Sequence, residues 1–122
     1  MADTMKFGGI TVNIMCYSPS QSQNVFIAKY NSSGTVQWAK GIHSCQSGIT
    51  GYSIASDNSS NLYITGNLKG VAYFDDTLYT ASYNSCDPYV VKYDANGNPI
   101  WVKVVPDCSA GGGYGHAITV DN

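Results

Sequence analysis

The chain of 122 residues is 43% hydrophobic and 11% charged, which suits one small globular domain and excludes a disordered chain. It has six Lys and eight Asp but no Arg and no Glu, while its ten Tyr and thirteen Gly favour strands joined by tight turns. A net charge of −2 without a basic stripe argues against nucleic acid as a partner, and no apolar run is long enough for membrane insertion. The composition therefore predicts an all-β protein.

The predicted elements follow an internal repeat of about 63 residues. Residues Phe26–Lys40 match Tyr89–Lys103, with Lys, Tyr, Gly, Trp and Lys in register. After a slip of one residue, Gly51–Asn58 matches Gly115–Asn122. Nearly the whole chain belongs to the repeat, so the repeat must decide the fold.

The repeat also sets the domain organisation. The stretch beginning at Phe7 corresponds to the one beginning at Phe74, with a longer loop following in the first copy. We expect one domain over residues 1–122, with unit 1 at about 4–66 and an incomplete unit 2 at about 67–122.

Each unit has the pattern of two hairpins. In chain order we predict four strands: A at Gly51–Asp57, B at Asn61–Leu68, C at Pro88–Asp94 and D at Pro99–Val105. Residues 71–80, between B and C, form either a minor hairpin or a strand extension. Four short antiparallel strands are typical of a β-propeller blade. Because the chain lacks one strand B, we predict two four-stranded antiparallel propeller-like blades, one strand short.

Two stretches carry a resemblance to a known family. Residues Gly51–Gly66 and Asp87–Lys103 are similar to the bacterial β-propeller repeats called SBBP repeats. The resemblance implies a propeller blade from a secreted or cell-surface protein, usually without a defined enzymatic role. The four cysteines and the long linker at Asn13–Asn24 depart from the family pattern.

The cysteines predict two disulfides. Cys86 and Cys108 fall near each other at the open end of the second C–D hairpin, within disulfide reach if the ladder continues. By the repeat, Cys16 and Cys45 form the matching bridge. Free thiols and a four-thiol zinc site are the alternatives, although no C-x₂-C pair is present. Two disulfides indicate an extracellular or cell-surface location.

No residue pattern indicates catalysis, a cofactor or a metal. His43 and His116 do not occupy a recurring place, and no nucleophile motif accompanies either one. Residues Asp94–Asn98 resemble a calcium loop superficially, but the distal Glu is missing and a hairpin turn explains them. We therefore expect no catalytic residues, no cofactor, no metal site and no enzymatic activity.

The aromatic residues allow two interpretations. Trp38 and Trp101 recur in strand D, as residues that pack one blade against the next should do. A loop before strand C instead combines aromatic and polar groups that suit a glycan ring at a propeller rim, namely Tyr79, Tyr83, Asn84 and Asp87.

Two blades cannot close a ring, so the chain needs neighbours. We expect a structural module that assembles with itself into a ring or filament by β-strand complementation. The predicted assembly edge pairs the N-terminal stretch with the last strand A and comprises Ala2, Thr4, Met5, Phe7, His116, Ile118 and Val120. Two alternatives stay open: a longer propeller that supplies the missing strand covalently, and a carbohydrate-binding surface module.

Overall fold

The computed structural model describes residues 3–14, 23–44, 48–75, 77–81, 86–105 and 112–121. Within these ranges the chain contains strands and no helix, which confirms the predicted all-β class. The strands are β1 (Asp3–Phe7), β2 (Ile10–Ile14), β3 (Asn24–Tyr30), β4 (Val36–His43), β5 (Ile49–Ser56), β6 (Leu62–Leu68), β7 (Val71–Phe74), β8 (Thr77–Thr80), β9 (Asp87–Tyr93) and β10 (Pro99–Val104).

One sheet is the predicted blade with all four strands. Strands A and B, which the repeat bounds put in unit 1, share this sheet with strands C and D of unit 2, so from here on unit 1 denotes β1–β4 and unit 2 denotes β5–β10. Strands A, B, C and D correspond to β5, β6, β9 and β10, which form a four-stranded antiparallel sheet in the order β10-β9-β6-β5. Its central ladder pairs Leu62–Leu68 with Asp87–Tyr93 over their full lengths. Burial is heaviest here, because Leu68, Tyr89 and Tyr93 are completely buried. This sheet therefore supplies much of the core.

The second four-stranded sheet has an unexpected composition. Its order is β3-β4-β7-β8, so the C–D hairpin of unit 1 pairs with the minor hairpin of unit 2. The contact is short, with Ile42 opposite Phe74 and His43 opposite Tyr73. Residues 71–80 thus form a hairpin, as one of the two predicted alternatives held, but the hairpin extends the neighbouring unit's sheet. No closed propeller forms within the described residues.

The two units share backbone detail as well as sequence. Strands β3 and β9 have the same length, and each ladder with its partner has an irregularity at the same place, between Lys29 and Tyr30 in unit 1 and beside Pro99 and Trp101 in unit 2. The β1–β2 and β7–β8 hairpins correspond too, because Gly8 and Asp75 both turn with positive φ, 56° and 51°. Aspartate tolerates this left-handed conformation better than most side chains.

Residues 112–121, predicted to begin another strand A, lie in no regular strand. Their backbone donates instead to side chains of the unit 2 blade. The Gly115 N–H donates to Asn67 Oδ1 at 3.1 Å, and the Ile118 N–H donates to Ser53 Oγ at 3.3 Å. Side chains take these hydrogen bonds where a strand B would provide main-chain partners, since backbone donors need acceptors.

The hairpin turns are built around carboxylate or amide acceptors. Asp57 Oδ1 accepts from the N–H groups of Ser59 and Asn61, both at 2.9 Å. Asp94 accepts in the same way two and four residues along the chain, and Asn31 does so in unit 1. The predicted hairpin turn at Asp94–Asn98 is confirmed, and both carboxylate oxygens of Asp94 accept hydrogen bonds within it.

These turns predict a loss of stability in acid. The Asn61 side chain, donating to Asp57, lowers the pKa of that carboxyl below its ordinary 3.8, and the Asn98 N–H lowers the pKa of Asp94. A lowered folded-state pKa stabilises the fold above the unfolded-state pKa, and this contribution is lost as the pH falls through the folded-state pKa. We expect the melting temperature to fall more on acidification in the parent protein than in the double variant Asp57→Asn, Asp94→Asn. Asn31 shows that an uncharged side chain can accept the same turn hydrogen bonds. Circular dichroism melts between pH 7 and about pH 2.5 measure this, and equal falls in the two proteins would contradict the prediction.

Candidate functional site

The described ranges hold no group of three or more His, Cys, Asp or Glu residues that could bind a metal ion. No helix in them could cross a bilayer. An open groove of about 520 Å³ lies between Val25–Ala28 of β3 and Gly51–Ile54 of β5. The groove follows the outer edge of β3. The counterpart of β3 in unit 2 is β9, and its corresponding edge pairs with β6.

The most elaborate contacts lie where unit 1 meets unit 2, a region that we call the joint. The first of them is the strand pairing between β4 and β7. Phe74 of β7 is completely buried opposite Ile42, and its ring packs edge-on against Tyr89 with centroids 5.4 Å apart. His43 stacks on Tyr73 at 5.2 Å. The joint thus combines main-chain pairing with aromatic packing, and His43 lies between strands as an ordinary packing residue.

The second contact of the joint is made by Trp38. Its indole Nε1–H donates to the Ala95 carbonyl at 3.0 Å, and Lys29 Nζ donates to the same carbonyl at 3.3 Å. Gly97 lies under the indole so closely that a Cβ there would stand 2.8 Å from ring carbons. The prediction that Trp38 packs between blades is confirmed. The roles of Lys29 and Gly97 were not predicted, although both recur in the repeat as Lys92 and Gly34.

The third contact of the joint is a backbone hydrogen bond that the chain forms twice. The Ile49 N–H donates to the Gln23 carbonyl at 3.2 Å, where the chain leaves unit 1. One repeat later, the Gly113 N–H donates to the Cys86 carbonyl at 2.9 Å. Residues 112–121 therefore follow unit 2 in the way that β5 follows unit 1, in the position where a third unit would begin.

The corresponding hairpins β1–β2 and β7–β8 also pack alike. Phe7 in β1 contacts Phe26 with ring centroids 5.0 Å apart, as Phe74 in β7 contacts Tyr89 in unit 2. On the facing side of the hairpin, Val12 and Ile14 are buried, and Val12 approaches Gly41 of β4. The β1–β2 hairpin of unit 1 is therefore the same kind of element as the β7–β8 hairpin, through which unit 2 contacts unit 1.

The predicted assembly edge is only partly an edge. The N-terminal stretch is paired along β1 with β2, with Thr4 opposite Asn13 and Phe7 opposite Ile10. Ala2 lies outside the described residues. In the last segment His116 is exposed, while Ile118 and Val120 are half-buried. Pairing between β1 and residues 115–120 of another copy stays a prediction.

Two of the four predicted glycan residues, Tyr79 and Asp87, are described, and neither is fully exposed. Asp87 is completely buried, and Tyr79 is half-buried with its ring edge-on to Phe74 at 5.4 Å. Tyr83 and Asn84 lie outside the described residues. A different aromatic cluster is exposed: His116 lies between Tyr52 and Tyr114, with centroids 5.5 and 5.7 Å away. Glycan binding at the first group stays a prediction.

Three of the four cysteines, Cys16, Cys45 and Cys108, fall outside the described residues, so the predicted disulfides stay predictions. Cys86 is half-buried and forms no disulfide with another described residue. The ladder pairs Val104 with Tyr89, so Cys86 is three residues before that pair and Cys108 is four residues after it. The described ladder does not reach Cys108, so it does not test this bridge.

Comparison with family models, with curated proteins and with solved structures found no match for this chain. The resemblance to SBBP repeats accordingly stays an expectation from the sequence.

Proposed function

We propose that this protein is a non-enzymatic extracellular structural module that assembles with itself by β-strand complementation. One observation carries the proposal: within a single chain, the β7–β8 hairpin of unit 2 extends the sheet of unit 1 by pairing with β4. The chain contains the same two elements a second time. Strand β10 is the repeat counterpart of β4, and β1–β2 is the counterpart of β7–β8.

Neither element has an equivalent partner among the described residues. Strand β10 is the outer strand of its sheet, and β1 pairs with β2 alone. An outer strand offers main-chain donors and acceptors to another strand. We therefore assign β10 of one copy to β1 of the next, an alternative to the edge at residues 115–120 that the sequence suggested.

Such a contact joins different surfaces of the two copies. A head-to-tail contact of this kind gives a ring if the rotation between copies closes and a filament if it does not. If the chain is part of a longer protein, the same surfaces join successive repeats covalently. The mass of the native 122-residue particle in solution tests the proposal, and a chain that stays monomeric at every concentration would refute it.

The variant Lys6→Pro tests the strand contact. Lys6 is the counterpart of Tyr73, which pairs with His43 at the joint. Phe7 and Ile10 close the β1–β2 turn, so the N–H of Lys6 points away from β2, because donors alternate along a strand. Proline removes that donor and keeps the hairpin bonds. We expect the concentration for half-association, measured by sedimentation velocity, to rise about tenfold. Lys6→Thr is the control, and equal behaviour of both variants would contradict the pairing.

A carbohydrate-binding module is the second candidate. The exposed cluster of Tyr52, His116 and Tyr114 favours it, because it adjoins a hollow of about 140 Å³ lined by Asn67 and Lys69. Aromatic faces with nearby polar groups suit sugar rings. A glycan array probed with monomeric protein separates the two functions: saturable binding favours a lectin, whereas its absence beside concentration-dependent particles favours assembly.

A further inference from the structure

We propose that Trp101 of one copy docks over Gly34 of a second copy, its indole N–H donating to the Ser32 carbonyl and Lys92 reinforcing the contact. This inference rests on the proposed self-assembly and names the side chains that recognise the partner. The occupant of this surface is a second copy of the same chain, because the chain carries both halves of the contact.

The proposed contact between copies repeats one that the chain already makes at the joint. Trp38 and Lys29 are cross-strand neighbours on β4 and β3, and both reach the Ala95 carbonyl in the turn of unit 2. Gly97 completes the site, because its φ of 82° and its lack of a side chain let the turn lie against the indole. The site is buried, since Gly97 has almost no exposed surface in the folded chain.

Every member of this arrangement recurs on the two outer surfaces. Trp101 and Lys92 are cross-strand neighbours on β10 and β9, as Trp38 and Lys29 are in unit 1. In the other turn, Gly34 has a φ of 78°. Ser32 precedes Gly34 by two residues, as Ala95 precedes Gly97.

At the joint the indole of Trp38 covers Gly97, whereas no described residue covers Gly34 in the corresponding turn. A Cβ built on Gly34 would meet no atom within 4 Å, and Gly34 is exposed. The Trp101 ring contacts Tyr63 within its own blade, with centroids 6.2 Å apart, and Lys92 lies over the same Tyr63 ring. No described residue accepts a hydrogen bond from the Trp101 indole. A glycine in a left-handed turn with open space above it matches an indole whose N–H has no acceptor among the described residues.

The two proposed contacts fit one arrangement of the copies. Both the β4–β7 pairing and the Trp38 contact place unit 2 on unit 1, so one movement of a second copy reproduces both. Residues 112–121 already follow the path that β5 follows at the joint, as the Gly113 and Ile49 hydrogen bonds indicate. Unit 1 consists of β1–β4 and has no strand A. Residues 112–121 of the first copy and unit 1 of the second copy therefore occupy different places.

The experiment uses three variants of the 122-residue chain. Gly34→Asn puts a side chain where the second copy's indole would lie, and Asn tolerates a positive φ. Trp101→Ala removes the indole, whereas Trp101→Phe removes the N–H donor and the pyrrole part of the indole but keeps an aromatic ring beside Tyr63. We expect Gly34→Asn and Trp101→Ala to raise the concentration for half-association at least 100-fold, and Trp101→Phe to raise it about tenfold.

A mixing test identifies the two halves of the contact. Gly34→Asn keeps Trp101, and Trp101→Ala keeps Gly34, so an equimolar mixture restores one good contact per pair. We expect each variant alone to be a monomer and the mixture to form a dimer that grows no further, measured by light scattering after size-exclusion chromatography. Gly97→Asn is the internal control: because Trp38 occupies that site, it should lower the melting temperature, whereas Gly34→Asn should not.

The outcomes separate this inference from the proposed function. If the parent chain assembles and the variants assemble equally well, the docking of Trp101 on Gly34 is wrong and self-assembly stands. If the variants are monomers but their mixture forms no dimer, the two residues are not opposite halves of one contact. If the parent chain stays monomeric, both proposals fail. Should Trp101→Ala not fold, Trp101→Phe takes its place in the mixture, at a concentration below that of its own half-association.

Discussion

Replacing Gly66 by alanine is expected to destabilise the protein strongly. A Cβ at Gly66 would overlap the Thr50 carbonyl oxygen, and it would also stand 3.0 Å from Gly51 Cα. These atoms belong to the backbone of β5, which pairs with β6 at this point and has an irregularity between Gly51 and Ser53. Backbone held in a ladder cannot move aside as a flexible side chain would. We expect a loss of at least about 3 kcal/mol, measured by urea unfolding.

Gly9→Ala is the matched control for this variant. No atom lies within 4 Å of a Cβ at Gly9. An added methyl group there should change the free energy of unfolding by no more than about 1 kcal/mol, and it should favour the folded state by restricting the unfolded chain. Similar losses in both variants would show that the crowding at Gly66 is relieved without cost.

Truncating Phe74 to alanine is expected to give the second large effect, because this residue joins both four-stranded sheets. Phe74 is completely buried, lies opposite Ile42 of β4, and packs against Tyr79 and Tyr89 with centroids 5.4 Å away in each case. Removing a buried ring costs its transfer free energy and leaves a cavity. We expect a loss of about 3–5 kcal/mol in the free energy of unfolding.

Leu78→Ala, in the same hairpin, provides the comparison. Half of the Leu78 side chain is exposed, so its truncation should cost less than about 1 kcal/mol. If the hairpin served only as a surface loop, Phe74→Ala and Leu78→Ala would melt alike in circular dichroism. Loss of cooperativity in Phe74→Ala alone would show that this hairpin couples the two units.

The joint also gives the proposals a common physical basis. Trp38 and Phe74 bury aromatic surface between units within one chain, and Trp101 and the β1–β2 hairpin repeat those elements on the outside. Repeat proteins gain much of their stability from contacts between neighbouring units. The proposed contact between copies would add such an interface, so we expect the melting temperature to rise with protein concentration.

The sequence by itself determined the strands and the turns. Recurrence of Lys, Tyr, Gly and Trp located β3, β4, β9 and β10, because alternating apolar residues and the turn chemistry of Asp94–Asn98 are local signals. The same recurrence predicted that Trp38 packs between units. It failed at residues 112–121, where a strand pattern has no partner strand and the backbone bonds to Asn67 and Ser53 instead.

Only the tertiary structure decided which strands share a sheet. The β7–β8 hairpin is close in sequence to β6 but pairs with β4, because its buried Phe74 packs between Ile42 and Tyr89 and the outer edge of β4 accepts its backbone. A hydrophobic pattern fixes which face of a hairpin is buried, but it does not specify which of two neighbouring sheet edges covers it. Gly34 and Gly97 likewise hold the same position in their turns, and only the packing of units buries Gly97 under an indole while leaving Gly34 open to solvent.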